Sequence, residues 1–273
     1  MAKLISKSSI SLAWLEAMEH LKTSGGTEAN LIVAIAPGAE DNALIRELID
    51  AFLKTYESSN VRRIRKVADT IFPVDFYHPP AGMEARERLY ENQYYARRIE
   101  SRSIPCGTYF DRLIDYPGAK APNQLERKIR RLKNDWECGK RNGNAYELAL
   151  GKVPEDGEIE SNRTTGSDLR IYNPDKDNFV MGFPCLSHIS LTLFKGRLDM
   201  TALYRNQYFM TKAYGNYIGL LDLLNFICQE VGCSTGELVC IAAHADAEFN
   251  SKELHKADIC RLIDDCRSAV GDD

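Results

Sequence analysis

Between Ile189 and Glu248 the hydrophobic period of the chain changes twice, and few arrangements of the backbone satisfy that order. Ile189, Leu191 and Leu193 alternate with polar positions, the two-residue repeat of a half-buried strand, up to Lys195-Gly196. Residues 198–204 resume as a second strand, which makes the pair a hairpin. Residues 217–231 are then strongly apolar, a helix that Gly232 ends. Residues 239–248 return to alternation, with His244, Asp246 and Glu248 on one face. Strands on both sides of an apolar helix exclude an all-helical or an all-strand chain.

The first half reads more plainly. Residues 9–21 carry Trp14, Met18 and Leu21 at helical spacing, and residues 30–36 form a buried-strand run stopped by Pro37. Residues 41–54 place Leu44, Leu48 and Phe52 on one helical face behind Asp41 as N-cap. That pair could open a nucleotide-binding α/β unit, but it lacks the Gly-x-Gly-x-x-Gly turn. Residues 84–100, rich in Arg, Glu and Tyr, read as a solvated helix face, while Leu125, Ile129 and Leu132 mark a further helix. Residues 143–167 are polar and contain glycine, so an inserted surface loop is expected there.

A length of 273 residues suits one large domain or two small ones. A net charge of −4 argues against broad nucleic-acid binding. No apolar run approaches the roughly 20 residues that cross a bilayer. The eight cysteines include no Cys-x-x-Cys pair and no secretory leader is evident, so reduced thiols in a cytoplasmic protein are expected.

A chemical set lies in the same window. Cys185 follows Pro184, Arg205 comes twenty residues later, and Asn216 eleven beyond that. A thiol attacks as its thiolate, and a nearby guanidinium lowers its pKa while offering a planar fork to a phosphate. An asparagine amide presents both a donor and an acceptor. Plainer readings stand beside these: Cys185 as a core cysteine, Arg205 as a surface charge at a strand end, and Asn216 as the N-cap of the apolar helix.

Gly182-Phe-Pro-Cys-Leu186, Leu203-Tyr-Arg-Asn206 and Tyr214-Gly-Asn216 together resemble the active-site core of the thymidylate synthase superfamily, which forms bonds at C5 of pyrimidine nucleotides. Residues 107–113 (Gly-Thr-Tyr-Phe-Asp-Arg-Leu) resemble its glycine–tyrosine segment, and Tyr172-Asn-Pro174 its aromatic-Asn segment. The resemblance implies that Cys185 adds to C6 and so makes C5 nucleophilic. It implies that Arg205 and Asn206 hold the phosphate and that Asn216 reads the base at O4 and N3, as suits uracil. Tyr109 would approach the cysteine, although a shift of one residue selects Phe110. Lys140-Arg141 stand nearest to the family's paired arginines, which reach across a dimer to the partner's phosphate. A general acid is expected among Glu84, Glu87 and Glu91.

The likeness runs from about residue 107 to 250, around the insertion at 143–167, within a single domain of residues 1–273 whose first 100 residues are diverged. Four departures bear on the reaction. Leu186 replaces a histidine, and Tyr208 replaces an aspartate that touches the pterin. Asp246 and Glu248 stand where the family binds the sugar 3′-hydroxyl with His and Tyr, and residues 269–273 are small and acidic rather than apolar. With His244, the two carboxylates are expected to accept from ribose hydroxyls. A catalytic metal would want a further histidine or cysteine, so no metal is expected.

The implied fold is α+β: a large mixed sheet with flanking helices, one sheet face forming the interface of a homodimer. The implied activity is C5 hydroxymethylation, in preference to methylation, of a pyrimidine nucleoside monophosphate, with 5,10-methylenetetrahydrofolate as donor. Methylation requires shielding from water until hydride arrives. The tryptophans, Trp14 and Trp136, lie outside residues 84–100, where a shield is sought, although Tyr94 or Tyr95 could serve. Two alternatives are a catalytically diverged nucleotide-binding protein on the same fold and an unrelated α/β enzyme.

Overall fold

The computed structural model describes residues 2–58, 60–100, 107–119, 123–137, 166–177 and 184–270. Its first elements are β1 (Lys3–Ser9), α1 (Ile10–Thr23), β2 (Thr27–Glu40), α2 (Ala43–Thr55), α3 (Ile64–Ala68), α4 (Met83–Glu100), α5 (Tyr109–Ile114) and α6 (Gln124–Glu137). There follow β3 (Gly166–Arg170), β4 (Leu186–Phe194), β5 (Arg197–Tyr204), β6 (Gln207–Tyr208), a π-turn at Phe209–Ala213, α7 (Tyr214–Val231), β7 (Ser234–Asp246) and α8 (Lys256–Val270). The strands form one mixed sheet in the order β1-β2-β7-β5-β4-β3, with β6 beside β7. β1–β2 and β5–β7 run parallel, with α1 and α7 as their crossovers, and β2–β7, β4–β5 and β3–β4 run antiparallel. The architecture is α+β, as expected.

The expected hairpin is β4–β5. Lys195 (φ 49°) and Gly196 (φ 86°) both take left-handed backbone, the two-residue turn whose twist matches that of the strands it joins. Gly232 (φ 85°) closes α7, its N–H donating to Cys228 O at 2.8 Å. Leu198, Met200, Ala202 and Tyr204 of β5 and Leu238, Cys240 and Ala242 of β7 are buried, whereas the alternate positions Thr201, Leu203, Val239 and Ile241 are half-buried. Leu125, Ile129 and Leu132 are the buried stripe of α6.

Other local expectations are overturned. β2 runs through Pro37 to Glu40, because its pairing with β7 ends at Ile35 and its pairing with β1 shifts between Lys7 and Ser9. A proline without an N–H is tolerated at such an irregularity. Asn42, not Asp41, caps α2, accepting from Leu44 N and Ile45 N at 3.0 and 3.2 Å. Asp41 instead accepts from the Ser11 hydroxyl at 2.7 Å. The buried stripe of α2 is Ile45, Ile49 and Leu53, while Leu44 is 57% exposed. α7 begins at Tyr214, so Asn216 lies inside its first turn and does not cap it.

Two helices are drawn together by glycine. A Cβ at Gly215 would lie 2.7 Å from Val67 Cβ, and one at Gly219 would lie 2.5 Å from Ala68 O. Only a bare backbone lets α7 approach α3 so closely. At the far end of α7, the wholly enclosed Glu230 carboxylate accepts from Tyr77 Oη, Gly82 N and Arg86, which ties α4 to α7.

Candidate active site

A cavity of about 320 Å³ opens where the start of β4, the end of β5, β6, α3, α5 and the first turn of α7 meet. Its wall brings together four residues singled out from sequence: Cys185, Tyr109, Asn206 and Asn216. Cys185 precedes β4, and its backbone is held by Arg205. The Arg205 N–H donates to Cys185 O at 2.9 Å, its Nη2 donates to Pro184 O at 2.9 Å, and its guanidinium lies 3.8 Å from the centre of the Tyr172 ring. Arg205 therefore clamps the loop that carries the thiol, and it is not among the residues of the cavity wall.

The Cys185 thiol departs from expectation. Burial pushes its pKa above the ordinary thiol value, and the opposing charges of Arg205 and Lys212 do not overcome that. Stripping water from a thiolate costs more here than two cations return.

Tyr109 is placed by a capping box. Thr108 Oγ1 accepts from Asp111 N at 3.1 Å, while the Asp111 carboxylate accepts from Thr108 N at 2.6 Å. Burial raises the pKa of the Tyr109 hydroxyl, and the neighbouring Leu186 and Cys185 backbone opposes that rise. Phe110, the other register, is fully buried in the core.

The cationic side chains in the wall, among the described residues, are Arg62, Arg112 and Lys212. Arg112 is committed elsewhere: Asp177 grips it through two bonds of 2.6 and 2.7 Å, and it donates to Ile171 O at 3.0 Å. Lys212 Nζ donates to Asn60 O at 2.7 Å, and burial followed by the nearby Arg62 lowers its pKa. Sequence reasoning passed over Lys212, although it is the sole charge between Arg205 and Asp222 in an otherwise apolar stretch. It also passed over Arg62 and Gln207, which carry no comparable local signal, and gave Tyr204 no role beyond its place in the second strand and its motif.

Other expected residues are not in the cavity wall. His244 Nδ1 and Asn206 Oδ1 are 2.6 Å apart, and Asp246 Oδ1 accepts from Glu248 N at 2.7 Å. The two Glu248 oxygens accept from Thr211 N at 2.7 Å and Thr211 Oγ1 at 2.9 Å. None of His244, Asp246 and Glu248 is in the wall. Glu248 sits beyond β7 at φ 64°, where the strand alternation has ended. Glu84, Glu87 and Glu91 are exposed on α4, whose inner face is Ala85, Arg86, Leu89 and Tyr90, and no carboxylate lines the cavity among the described residues. Tyr94 and Tyr95 are also outside the wall, whereas Tyr208 lies in it and is 43% exposed. Lys140, Arg141 and all but the last residues of the expected insertion lie outside the described residues.

Glu248 carries a pH dependence. Burial raises its pKa to about 7, against the favourable bonds from Thr211 and the charge of Lys212. Between the ordinary value of 4.5 and about 7 the folded protein holds a proton that the unfolded chain has released. That contribution to stability is complete below the lower value and is lost as pH rises through the upper one. Unfolding from about pH 5 to about pH 8 should show a decline of roughly 2–3 kcal/mol that Glu248→Gln lacks. Matching profiles for the two proteins would mean that Glu248 is ionised throughout.

No protein-family model matches the chain. It is similar to a protein named "Putative thymidylate synthase" from Methanothermobacter thermautotrophicus strain Delta H, 27% identical over 194 residues, which is 67% of this chain and 74% of that protein. It is also similar to a protein of the same name from Methanothermobacter marburgensis strain Marburg, 26% identical over 239 residues, which is 77% of this chain and 94% of that protein.

Proposed function

From these likenesses, which support a thymidylate-synthase-like superfamily, we propose that the chain is a one-carbon transferase acting at C5 of a pyrimidine nucleoside monophosphate through a bond from Cys185 Sγ to C6. The observation that carries this reading is the meeting of Cys185, Tyr109 and Asn216 in one cavity. Addition of the thiolate at C6 moves an electron pair onto C5, which then attacks the one-carbon unit. The Arg205 clamp fixes the approach of Sγ, and the Asn216 amide orients the base. Arg205 stands behind the wall and holds the Cys185 loop, so within the wall Arg62 and Lys212 are the cations we assign to the phosphate.

The wall also suits a flat heteroaromatic carrier. The exposed ring of Tyr208 offers a stacking face, and Gln207 brings an amide. Bound there, 5,10-methylenetetrahydrofolate supplies the one-carbon unit. Tyr94 and Tyr95 stand outside the cavity wall, which supports water reaching the C5 chemistry and a hydroxymethyl product.

A second copy of the chain is the occupant we assign to the sheet face that carries the half-buried alternate positions. There Ile32, Ile241 and Leu203 are register neighbours, as are Ala34, Val239 and Thr201, in two largely apolar rows. No helix among the described residues is long and apolar enough to cross a membrane. The proposed substrates support a cytoplasmic protein.

The raised pKa of Cys185 favours a second reading, a nucleotide-binding protein that has lost the chemistry. Incubation with a 5-fluoropyrimidine nucleotide and the folate separates the two. A covalent adduct on Cys185 in intact-protein mass spectrometry is the expected result, and binding without an adduct establishes the diverged protein.

A further inference from the structure

Gln207 lies on β6, beside Ala245 of β7, in the cavity wall, and is 2% exposed. Neither its Nε2 nor its Oε1 has a hydrogen-bond partner in the protein. The hydroxyl of Tyr204, 1% exposed in the same wall, also has none. Folded proteins pair nearly all such groups, because an enclosed amide without a partner forfeits the bonds it made to water. Two other buried glutamines in this fold obey that rule. Gln93 donates to Asp111 at 2.8 Å, and Gln124 both donates to Arg112 O and accepts from Arg170 N at 2.8 Å.

An amide carries a donor beside an acceptor, and its complement is an edge with the same two features reversed. A phosphate or a lone hydroxyl meets one end and leaves the other open. A cyclic amide, with N–H next to C=O in a planar ring, meets both. Rotation of the Gln207 side chain into the cavity would gain two hydrogen bonds from such a ring, and a ligand that binds one conformation better shifts the population toward it.

We propose that Gln207 is a specificity-determining residue that pairs with the cyclic-amide edge of a planar heterocycle in the cavity, in addition to Asn216. This rests on the reading of the site as a nucleotide and one-carbon site. A uracil ring and a pterin ring both carry that edge, so the test has one arm for each.

Gln207→Leu keeps the bulk and removes the amide. The free variant should unfold at the same temperature as the wild type or higher, because an unpaired amide has gone. Its affinity in one arm should fall about tenfold to a hundredfold, read by calorimetric titration with UMP and dUMP in one arm and tetrahydrofolate in the other. A loss confined to the nucleotide arm puts Gln207 on the base, and a loss confined to the folate arm puts it on the carrier. Gln207→Glu, which keeps the shape but accepts only when ionised, should show the same loss should the leucine variant not fold. Unchanged affinities in both arms overturn the proposal, as does a lowered unfolding temperature with unchanged binding. A wild-type adduct with the fluorinated nucleotide alongside unchanged Gln207→Leu affinities removes this inference and leaves the proposed function standing. A wild-type protein that binds neither probe removes both.

Discussion

Replacing Cys185 with alanine should reduce turnover to background, a loss on the order of 10⁴-fold or more, while nucleotide affinity changes by less than about threefold. On the proposed function the Sγ–C6 bond would exist only along the reaction path, whereas Arg62, Lys212 and Asn216 would hold the resting complex. The raised thiol pKa adds a second expectation: the rate should climb with pH as the thiolate fraction grows. Exchange of the C5 hydrogen with solvent reads the addition step without any folate. Exchange that persists in Cys185→Ala would sink covalent catalysis, and exchange absent from the wild type as well would return the protein to the diverged reading.

Asp177→Ala should cost about 3–5 kcal/mol of folding stability, the largest structural loss expected of any single change around the site. Arg112 and Asp177 side chains are 6% and 3% exposed and share two hydrogen bonds. Asp177 also accepts from Asn173 N at 2.7 Å, which fixes the segment carrying Tyr172, the platform for Arg205. Removing the carboxylate takes away the acceptor of two charge-assisted bonds from a guanidinium enclosed in the cavity wall, and the penalty is that of breaking a buried ion pair. Replacing both partners with leucine should recover much of the loss, since the desolvation cost of both ions disappears together. Urea unfolding measures each variant. A loss below about 1 kcal/mol for Asp177→Ala would mean that Arg112 reaches water or another acceptor.

Where a residue's neighbours in sequence carry the information, the chain alone determined the outcome. The β4–β5 hairpin follows from period-two alternation around Lys195-Gly196, and the end of α7 follows from a glycine free to take left-handed backbone. The Pro184-Cys185, Tyr109 and Asn216 motifs line one cavity. Local signals failed where two adjacent answers were equally periodic. The α2 stripes Leu44-Leu48-Phe52 and Ile45-Ile49-Leu53 differ by one residue, and the packing partners of α2 chose the second. Asp41 lost the cap to Asn42 because Ser11, far away in sequence, claimed its carboxylate.

The chemistry of the site was still less local. Arg205 was legible as a charge near the cysteine, but only the fold turned its guanidinium onto Pro184 O and the Tyr172 ring. The same holds for the Cys185 thiol, whose pKa rises because desolvation depends on everything packed around it, whereas the sequence displays only the cation that lowers it. Lys212, Arg62 and Gln207 enter the wall from a π-turn, a loop before α3 and a two-residue strand, places that no periodicity marks. Periodicity and turn preference act over a few neighbouring residues and can be read in one dimension. Burial and charge compensation are sums over partners that only the tertiary structure brings together.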